Sequence, residues 1–432
     1  MLDKYSFRFH STRAAEGVSV HVLPTRKFKT TMMCLLIGRE LDERASHAAL
    51  LGEVLKRGSA KFPDMRVIAE EMEEMYGGSF GCGISRIGGK QVVTMRLALP
   101  SESFLPKRAP LLDRGFNFLE EMLLRPLVKG GAFNNEVVKR EKVNLQARIF
   151  SLINDKMEYA QRRCVEEMCR TERFRFYEYG EIDKVAAITP RGLFDFYGEM
   201  LATRPVDVFV VGDVDEERIV RRVSRMFRGR KPGGYAFTAP EPEPKTKRPR
   251  KVTEKQEVEQ AKLCLGLRTH TNVREPDYPA AVMYNGLLGG FSHSRLFRAV
   301  REKAGLAYDA HSYIENSKGL MIVGAGLERK HLSKAMRIID GQMQELRKGR
   351  ITRDEMGKTR KAVITRLNSS VDSPLQLMHL HYSQMVNGVT MNLDHWKRKI
   401  SAVTVGGVKD LAGKVTVDTV YLLLPQETKR ER

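Results

Sequence analysis

The chain has 432 residues, enough for two domains or more, and 42% hydrophobic content supports real cores. No run of eighteen apolar residues exists to span a membrane, and the polar start MLDKYSFRFHSTRAAEG lacks the apolar stretch of a secretory signal. The net charge of +21 is spread along the chain without a nucleic-acid motif, so it reads as a solvated basic surface with no nucleic-acid or membrane partner. Five scattered cysteines, Cys34, Cys82, Cys164, Cys169 and Cys264, predict reduced thiols and a cytoplasmic location.

Residues 1–228 alternate strand and helix patterns. Val18–Leu23 predicts a strand, and Lys29–Gly38, KTTMMCLLIG, predicts another. Ser46–Ser59, SHAALLGEVLKRGS, follows as a helix with a Ser at its start and a Gly at its end. Asp64–Tyr76 predicts a second helix, with Asp64 as N-cap, Met65, Ile68, Met72 and Met75 on one face, and Gly77 as the stop. Gln91–Leu99 alternates as a strand, Arg108–Leu124 reads as a helix, and a long helical pattern covers Asn135 to about Arg170. Val206–Val211 is a compact strand and Asp215–Arg228 a helix. Residues 229–257 hold Pro232, Pro240, Pro242, Pro244 and Pro249 among charges and read as a partly extended linker.

Residues 258–432 repeat this order. Glu259–Leu267, EQAKLCLGL, matches TTMMCLLIG, with Cys264 in the place of Cys34. Tyr278–Leu288 answers the Ser46 helix, Val403-Thr404 answers Ile188-Thr189, and VYLLLPQ answers VDVFVVGD. Agreement in order over nearly the whole chain points to a duplication.

The words LLGEVLKRGS and the Gly77-Gly78 pair after the second helix resemble the insulinase/pitrilysin peptidases, the inverzincins. That family carries H-x-x-E-H on the first helix: two His at i and i+4 bind zinc, and the Glu between them is the general base. The matching positions here are Ala49, Gly52 and Glu53, so both His and the base are absent. His47 lies two residues early, on another side of the helix. The family's third ligand is a Glu seven residues after an Arg-Glu pair; counting from Glu141 gives Arg148, which stays protonated and cannot bind zinc. The resemblance therefore implies a non-catalytic member without a metal or other cofactor. It also suggests that Glu53 and Arg148 pair where the metal would sit.

Gly289–Tyr308, GGFSHSRLFRAVREKAGLAY, is the most specific match to the family. It implies that Arg301 and Tyr308 are the substrate-binding pair, two donors that can hold a peptide carbonyl. Read alone, Arg301 fits a surface ion pair with Glu302 or Glu315, and Tyr308 a core aromatic. Gly289 and Gly290 permit a tight turn and close backbone approach. His379 and His381, two apart, point to different helix faces, and His293, His311 and His395 are isolated.

The resemblance implies an α+β fold of two homologous domains, residues 1–228 and 258–432, each an antiparallel sheet with helices packed on one face. VLKRGS, EMEEMYGG and Lys156-Met157 are similar to the bacterial YmfF/YfmF group, which is associated by name with aminopentanol modification of elongation factor P. The reading is a peptide-binding subunit of an insulinase-type heterodimer whose partner is a homologous subunit that keeps the zinc motif, with a peptide or unfolded polypeptide as substrate. Two alternatives stay open: an inactive scaffold of the same fold, and an active peptidase with a rebuilt site using His47, Glu53 and Glu141.

Overall fold

The apolar runs around Cys34 and Cys264 become central strands of two sheets in a computed structural model that describes residues 8–105, 109–231 and 248–426. Contacts divide the chain into two units. Unit 1 comprises residues 1–150, 176–239 and 373–382; unit 2 comprises residues 151–175, 240–372 and 383–432.

The chain opens with strands β1 (His10–Ala15), β2 (Val18–Pro24) and β3 (Thr30–Glu40), then helices α1 (Ala45–Leu55) and α2 (Met65–Glu74). Strands β4 (Ser79–Ile87) and β5 (Lys90–Pro100) precede helix α3 (Leu111–Leu124). The short hairpin β6 (Val128–Lys129) and β7 (Ala132–Phe133) leads to α4 (Asn135–Asn154) and α5 (Lys156–Met168). Helices α6 (Ile182–Ala187) and α7 (Pro190–Thr203), strand β8 (Val206–Gly212) and helix α8 (Glu216–Met226) follow.

The second half carries β9 (Arg250–Gln256), β10 (Ala261–Arg268), α9 (Tyr278–Leu288) and a π-helical stretch, Phe297–Lys303. Then come β11 (Ala307–Glu315), β12 (Leu320–Leu327), α10 (Leu332–Arg347), α11 (Arg353–Ser370) and α12 (Pro374–Asn387). Helices α13 (Leu393–Ala402) and α14 (Val405–Lys414) and strand β13 (Thr416–Pro425) complete it. Among the described residues no helix is long and apolar enough to cross a membrane.

The sheet orders are β1-β2-β8-β3-β5-β4 in unit 1 and β11-β12-β10-β13-β9 in unit 2. Read from β2 and from β9 they run identically, β2-β8-β3-β5-β4 against β9-β13-β10-β12-β11. The register repeats too: Cys34 pairs with Phe209, and Cys264 pairs with Tyr421. Each sheet holds one parallel pair, β2 with β8 and β9 with β13, so the sheets are mixed rather than wholly antiparallel. The long helical connections between those partners permit the parallel pairing, which a tight turn cannot make.

One face of each sheet carries the expected layer of helices. Met33, Leu35, Met95 and Leu97 pack with α1 and α3 residues in unit 1, and Leu263, Leu265, Met321 and Val323 with α9 residues in unit 2. The structure adds cover on the opposite face. In unit 2, Ala160, Cys164 and Met168 of α5 pack with Cys264, Ile322 and Tyr421. In unit 1, His381 and Tyr382 of α12 meet Phe209. Each unit thus includes a helical segment from the other half of the sequence, so a division at residues 229–257 does not follow the packing. Both faces of each central strand are apolar, and both need covering.

Three local readings change. Residues 250–256 of the predicted linker form β9; residues 232–247 lie outside the described residues. The long helix over Asn135–Arg170 breaks at Asp155, whose carboxylate accepts from the Met157 and Glu158 amides and starts α5. Ser46 is not the cap of α1, because Arg44 occupies that position; the buried Ser46 hydroxyl instead accepts from the Glu181 amide at 3.1 Å.

Candidate functional site

Ala49, Gly52 and Glu53 lie three and four residues apart on α1 and so share one side of it. This helix packs over β4, the edge strand of its sheet. A Cβ placed on Gly52 would meet the Gly83 carbonyl oxygen at 3.6 Å and the Cys82 sulfur at 3.9 Å, ordinary contact distances.

Glu53 is nearly buried, and both its oxygens are bound by cations. Arg148 Nη1 on α4 donates to Glu53 Oε1 at 2.9 Å, and Lys56 Nζ binds Glu53 Oε2. The Arg148 guanidinium also lies 5.1 Å from the centre of the Tyr179 ring. The Glu53–Arg148 pairing expected from the motif positions is therefore present. Next to it, Glu141 is wholly buried. Arg57 Nη2 donates to its Oε2 at 3.0 Å, Asn144 donates to the same oxygen at 3.1 Å, and Arg140 Nε donates to Oε1 at 3.3 Å.

These residues do not fit a zinc ion. Ala49 and Gly52 offer no donor atom, Arg148 is itself a cation, and the oxygens of Glu53 already face two positive groups. A divalent ion would enter against like charge. Burial, and then the Glu53 carboxylate, push the nearby Cys82 thiol up to about 12. His47 is turned away, its ring 5.4 Å from that of Phe196, and burial followed by the nearby Arg44 and Arg39 charges lowers its pKa. His47, Glu53 and Glu141 are thus not brought together as ligands.

The second constellation lies in unit 2. The π-helical turn places Arg301 between two rings, with its guanidinium 4.6 Å from the centre of Phe297 and 5.3 Å from that of Tyr308. Tyr308 sits at a bulge in β11, where Ala307 pairs with Leu327 and Asp309 with Gly326, leaving Tyr308 outside the ladder. A bulge re-aims the side chain it carries, and Tyr308 is 81% exposed, which removes the reading of it as a core aromatic. Gly289 supports this region as expected: a Cβ there would stand 2.6 Å from the Ser312 backbone nitrogen, whose N–H donates to the Gly289 carbonyl at 3.0 Å.

Sequence reading missed Lys56, Arg57 and Tyr179. The Glu53–Lys56 spacing of three on a helix could have revealed the first. Tyr179 reaches Arg148 from a loop and carries no local signal.

The profile described as Peptidase M16 inactive domain matches residues 187–363. The chain is 32% identical over 408 residues to "Probable inactive metalloprotease YmfF" of Bacillus subtilis, covering 94% of this chain and 96% of that one. It is also 27% identical over 248 residues to "Uncharacterized zinc protease YmxG" of the same species, covering 57% of this chain and 59% of that one. Among solved structures, a conserved protein from Enterococcus faecalis superposes with a TM-score of 0.92 at 28% identity, covering 98% of this chain and 100% of that one. A peptidase M16 inactive domain from Pseudomonas fluorescens shares the fold with a TM-score of 0.78 at 18% identity, over 98% and 99% of the two chains.

Proposed function

The chain belongs to the insulinase-type M16 peptidase family as a non-catalytic member, and we propose that it is the peptide-binding subunit of a heterodimer whose homologous partner supplies the zinc site. One observation carries this reading: an altered metal position coexists with an exposed Arg301–Tyr308 pair. If the chain were only a scaffold, nothing would require an Arg and a Tyr to be set outward on a π-turn and a bulge. Their N–H and O–H groups can donate to a peptide carbonyl whatever the side chain beside it, a handle suited to unfolded polypeptide.

A handle without a metal needs a chain that keeps H-x-x-E-H. Zinc protease homologues, of which YmxG is an example in Bacillus subtilis, are the class of partner proposed. The words VLKRGS and EMEEMYGG extend the proposal to a link with elongation factor P modification, and the five scattered cysteines extend it to a cytoplasmic setting.

The test is to mix this chain with each zinc-motif homologue of its genome and follow sedimentation and peptide cleavage. One homologue should co-sediment through an interface above ~1,000 Å² and gain activity. Arg301→Ala and Tyr308→Phe should each lower that activity several-fold, in line with a lost hydrogen bond of about 1–3 kcal/mol. If no homologue associates and none gains activity, the subunit role is wrong.

A further inference from the structure

Thr31 is buried, 6% exposed, yet its hydroxyl has no hydrogen-bond partner among the described residues. It lies two residues before Met33 on β3, so both side chains stand on the helix-covered face of the sheet. There they line a recess of unit 1, between β3, the end of β5 and the starts of α3 and α8, with ≈ 70 Å³ of free space. A single water needs only ~10–15 Å³ of such space.

The recess has two chemistries. Its inner wall is apolar, formed by Met33, Leu99 and Leu111, each at most 3% exposed. Its rim is acidic, formed by Glu102, Asp213 and Asp215. Existing bonds leave these carboxylates with capacity. Glu102 Oε1 accepts from the Leu112 amide at 2.8 Å, and Asp215 Oδ1 from the Arg218 amide at 2.6 Å. The second oxygen of each has no partner among the described residues. Asp213 is met by Arg26 Nε at 3.3 Å, from a side chain that is 85% exposed. Arg218, the cation of the lining, donates to Asp113 at 2.7 Å. Its pKa is raised, first by that bond, with the Glu102 and Asp215 charges adding to it. With Asp113 and Arg26 included, four carboxylates stand against two guanidiniums here, in a chain of net charge +21.

This combination selects among occupants. The rim repels an anion. A bare metal ion finds no group of three ligands among the described residues, and it gains nothing from an apolar wall. A wholly apolar molecule leaves the Thr31 hydroxyl unsatisfied. We propose that the recess binds a primary ammonium carried on a short aliphatic group. The aliphatic part packs on Met33, Leu99 and Leu111, and the Thr31 hydroxyl and the rim carboxylates accept from the ammonium. Two sources carry this chemistry: the free N-terminus of a polypeptide that begins with an aliphatic residue, and a free alkylamine. The site involves unit 1 alone and does not rest on the Arg301–Tyr308 handle.

The experiment is a ligand-observed NMR titration of the full chain at ~50 mM salt, where surface charges are weakly screened. Two pairs of probes are compared: n-butylamine with n-butanol, and an uncharged, C-amidated peptide beginning with leucine, its N-terminus free or acetylated. At least one ammonium probe should bind about tenfold tighter than its uncharged twin, as expected for a charge-assisted hydrogen bond. A gain by the peptide assigns the site to chain termini, and a gain by butylamine alone assigns it to small amines.

Glu102→Gln with Asp213→Asn should erase the preference. Both changes keep an acceptor oxygen, for the Leu112 amide and for Arg26, so the fold should hold. Thr31→Val, close to Thr in shape, should weaken the ammonium probes several-fold, and it supplies the test if the double variant misfolds. Equal affinity within each pair, no binding by any probe, or a preference that survives the double variant overturns the proposal. If that variant does not fold, an unchanged preference in Thr31→Val overturns it instead.

Discussion

Arg57 and Glu141 repeat the Arg148–Glu53 pair with the helices exchanged: the guanidinium comes from just past α1, the carboxylate from α4, and Arg57 Nε stands 2.8 Å from Glu141 Oε1. The two pairs cross-brace the helices. Glu141 is the more buried of the two carboxylates, so it depends more on its partners.

Arg57→Ala should therefore cost about 2–4 kcal/mol of stability, because it strips a buried carboxylate of its main counter-charge. Urea unfolding is the measurement. Arg57→Ala combined with Glu141→Leu should cost less than the sum of the two changes, since no uncompensated charge remains. A loss below ~0.5 kcal/mol for the single variant would place this pair with weak surface bridges.

The purified chain should hold no stoichiometric zinc. Restoring Ala49→His, Gly52→Glu, Glu53→His and Arg148→Glu together removes a cation and supplies three ligands and a base. A Cβ at position 52 meets its neighbours only at ordinary contact distance. Metal analysis should then find about one zinc per chain, held by the three restored ligands. A quadruple variant that folds yet stays metal-free would mean that these four positions do not converge as ligands.

How much of this was legible follows from where each signal lay. The duplication was readable because equivalent residues kept equivalent work: Thr189 caps α7 by accepting from Gly192, and Thr404 caps α14 by accepting from Gly407. The Glu53–Arg148 pair was readable because motif spacing fixed both positions. The helical segments shared between the units were not. The Cys164 thiol of α5 lies 4.0 Å from the Cys264 carbonyl, a hundred residues away in sequence, and no local pattern encodes that contact. The strand Arg250–Gln256 was hidden by its own charge. It is the edge strand of its sheet, and Arg250, Lys251, Glu254 and Lys255 give it the composition of a linker.

His381 sets an acid limit on stability. Its ring packs 4.6 Å from that of Phe9 and near Phe209 and His21, the last bound to Asp207 at 3.0 Å. Burial, and then the neighbouring His21, push its pKa down to about 4. The unfolded chain takes up this proton near the ordinary 6.5, before the folded chain does. The contribution is therefore complete above 6.5 and is lost as pH falls toward 4. His381→Phe should flatten this part of the profile, so that its urea midpoint moves less between pH 7 and 5 than that of the unmodified chain. Parallel profiles would exclude His381 as the group responsible.

The cover that α5 provides is fastened by buried charge. Arg268 of β10, 1% exposed, donates to Glu172 at 2.7 Å, to Asp418 at 3.1 Å and to the Met168 carbonyl at 2.9 Å. Lys318 adds a second cation to Glu172 at 2.6 Å. Met168 ends α5 and Glu172 follows it, so this cluster ties the borrowed helix to β10 and β13. Removing one member leaves the others buried and unbalanced, which costs about 3–5 kcal/mol in comparable clusters. Glu172→Ala should lower the stability of unit 2 by that order and speed hydrogen exchange along α5. Arg268→Met together with Glu172→Leu should recover part of the loss, because it leaves one charge of each sign, Lys318 and Asp418, where Glu172→Ala leaves two cations against one carboxylate. If the α5 amides exchange in Glu172→Ala as they do in the unmodified chain, the apolar contacts of Cys164 and Met168 hold the helix, and the charge cluster does not.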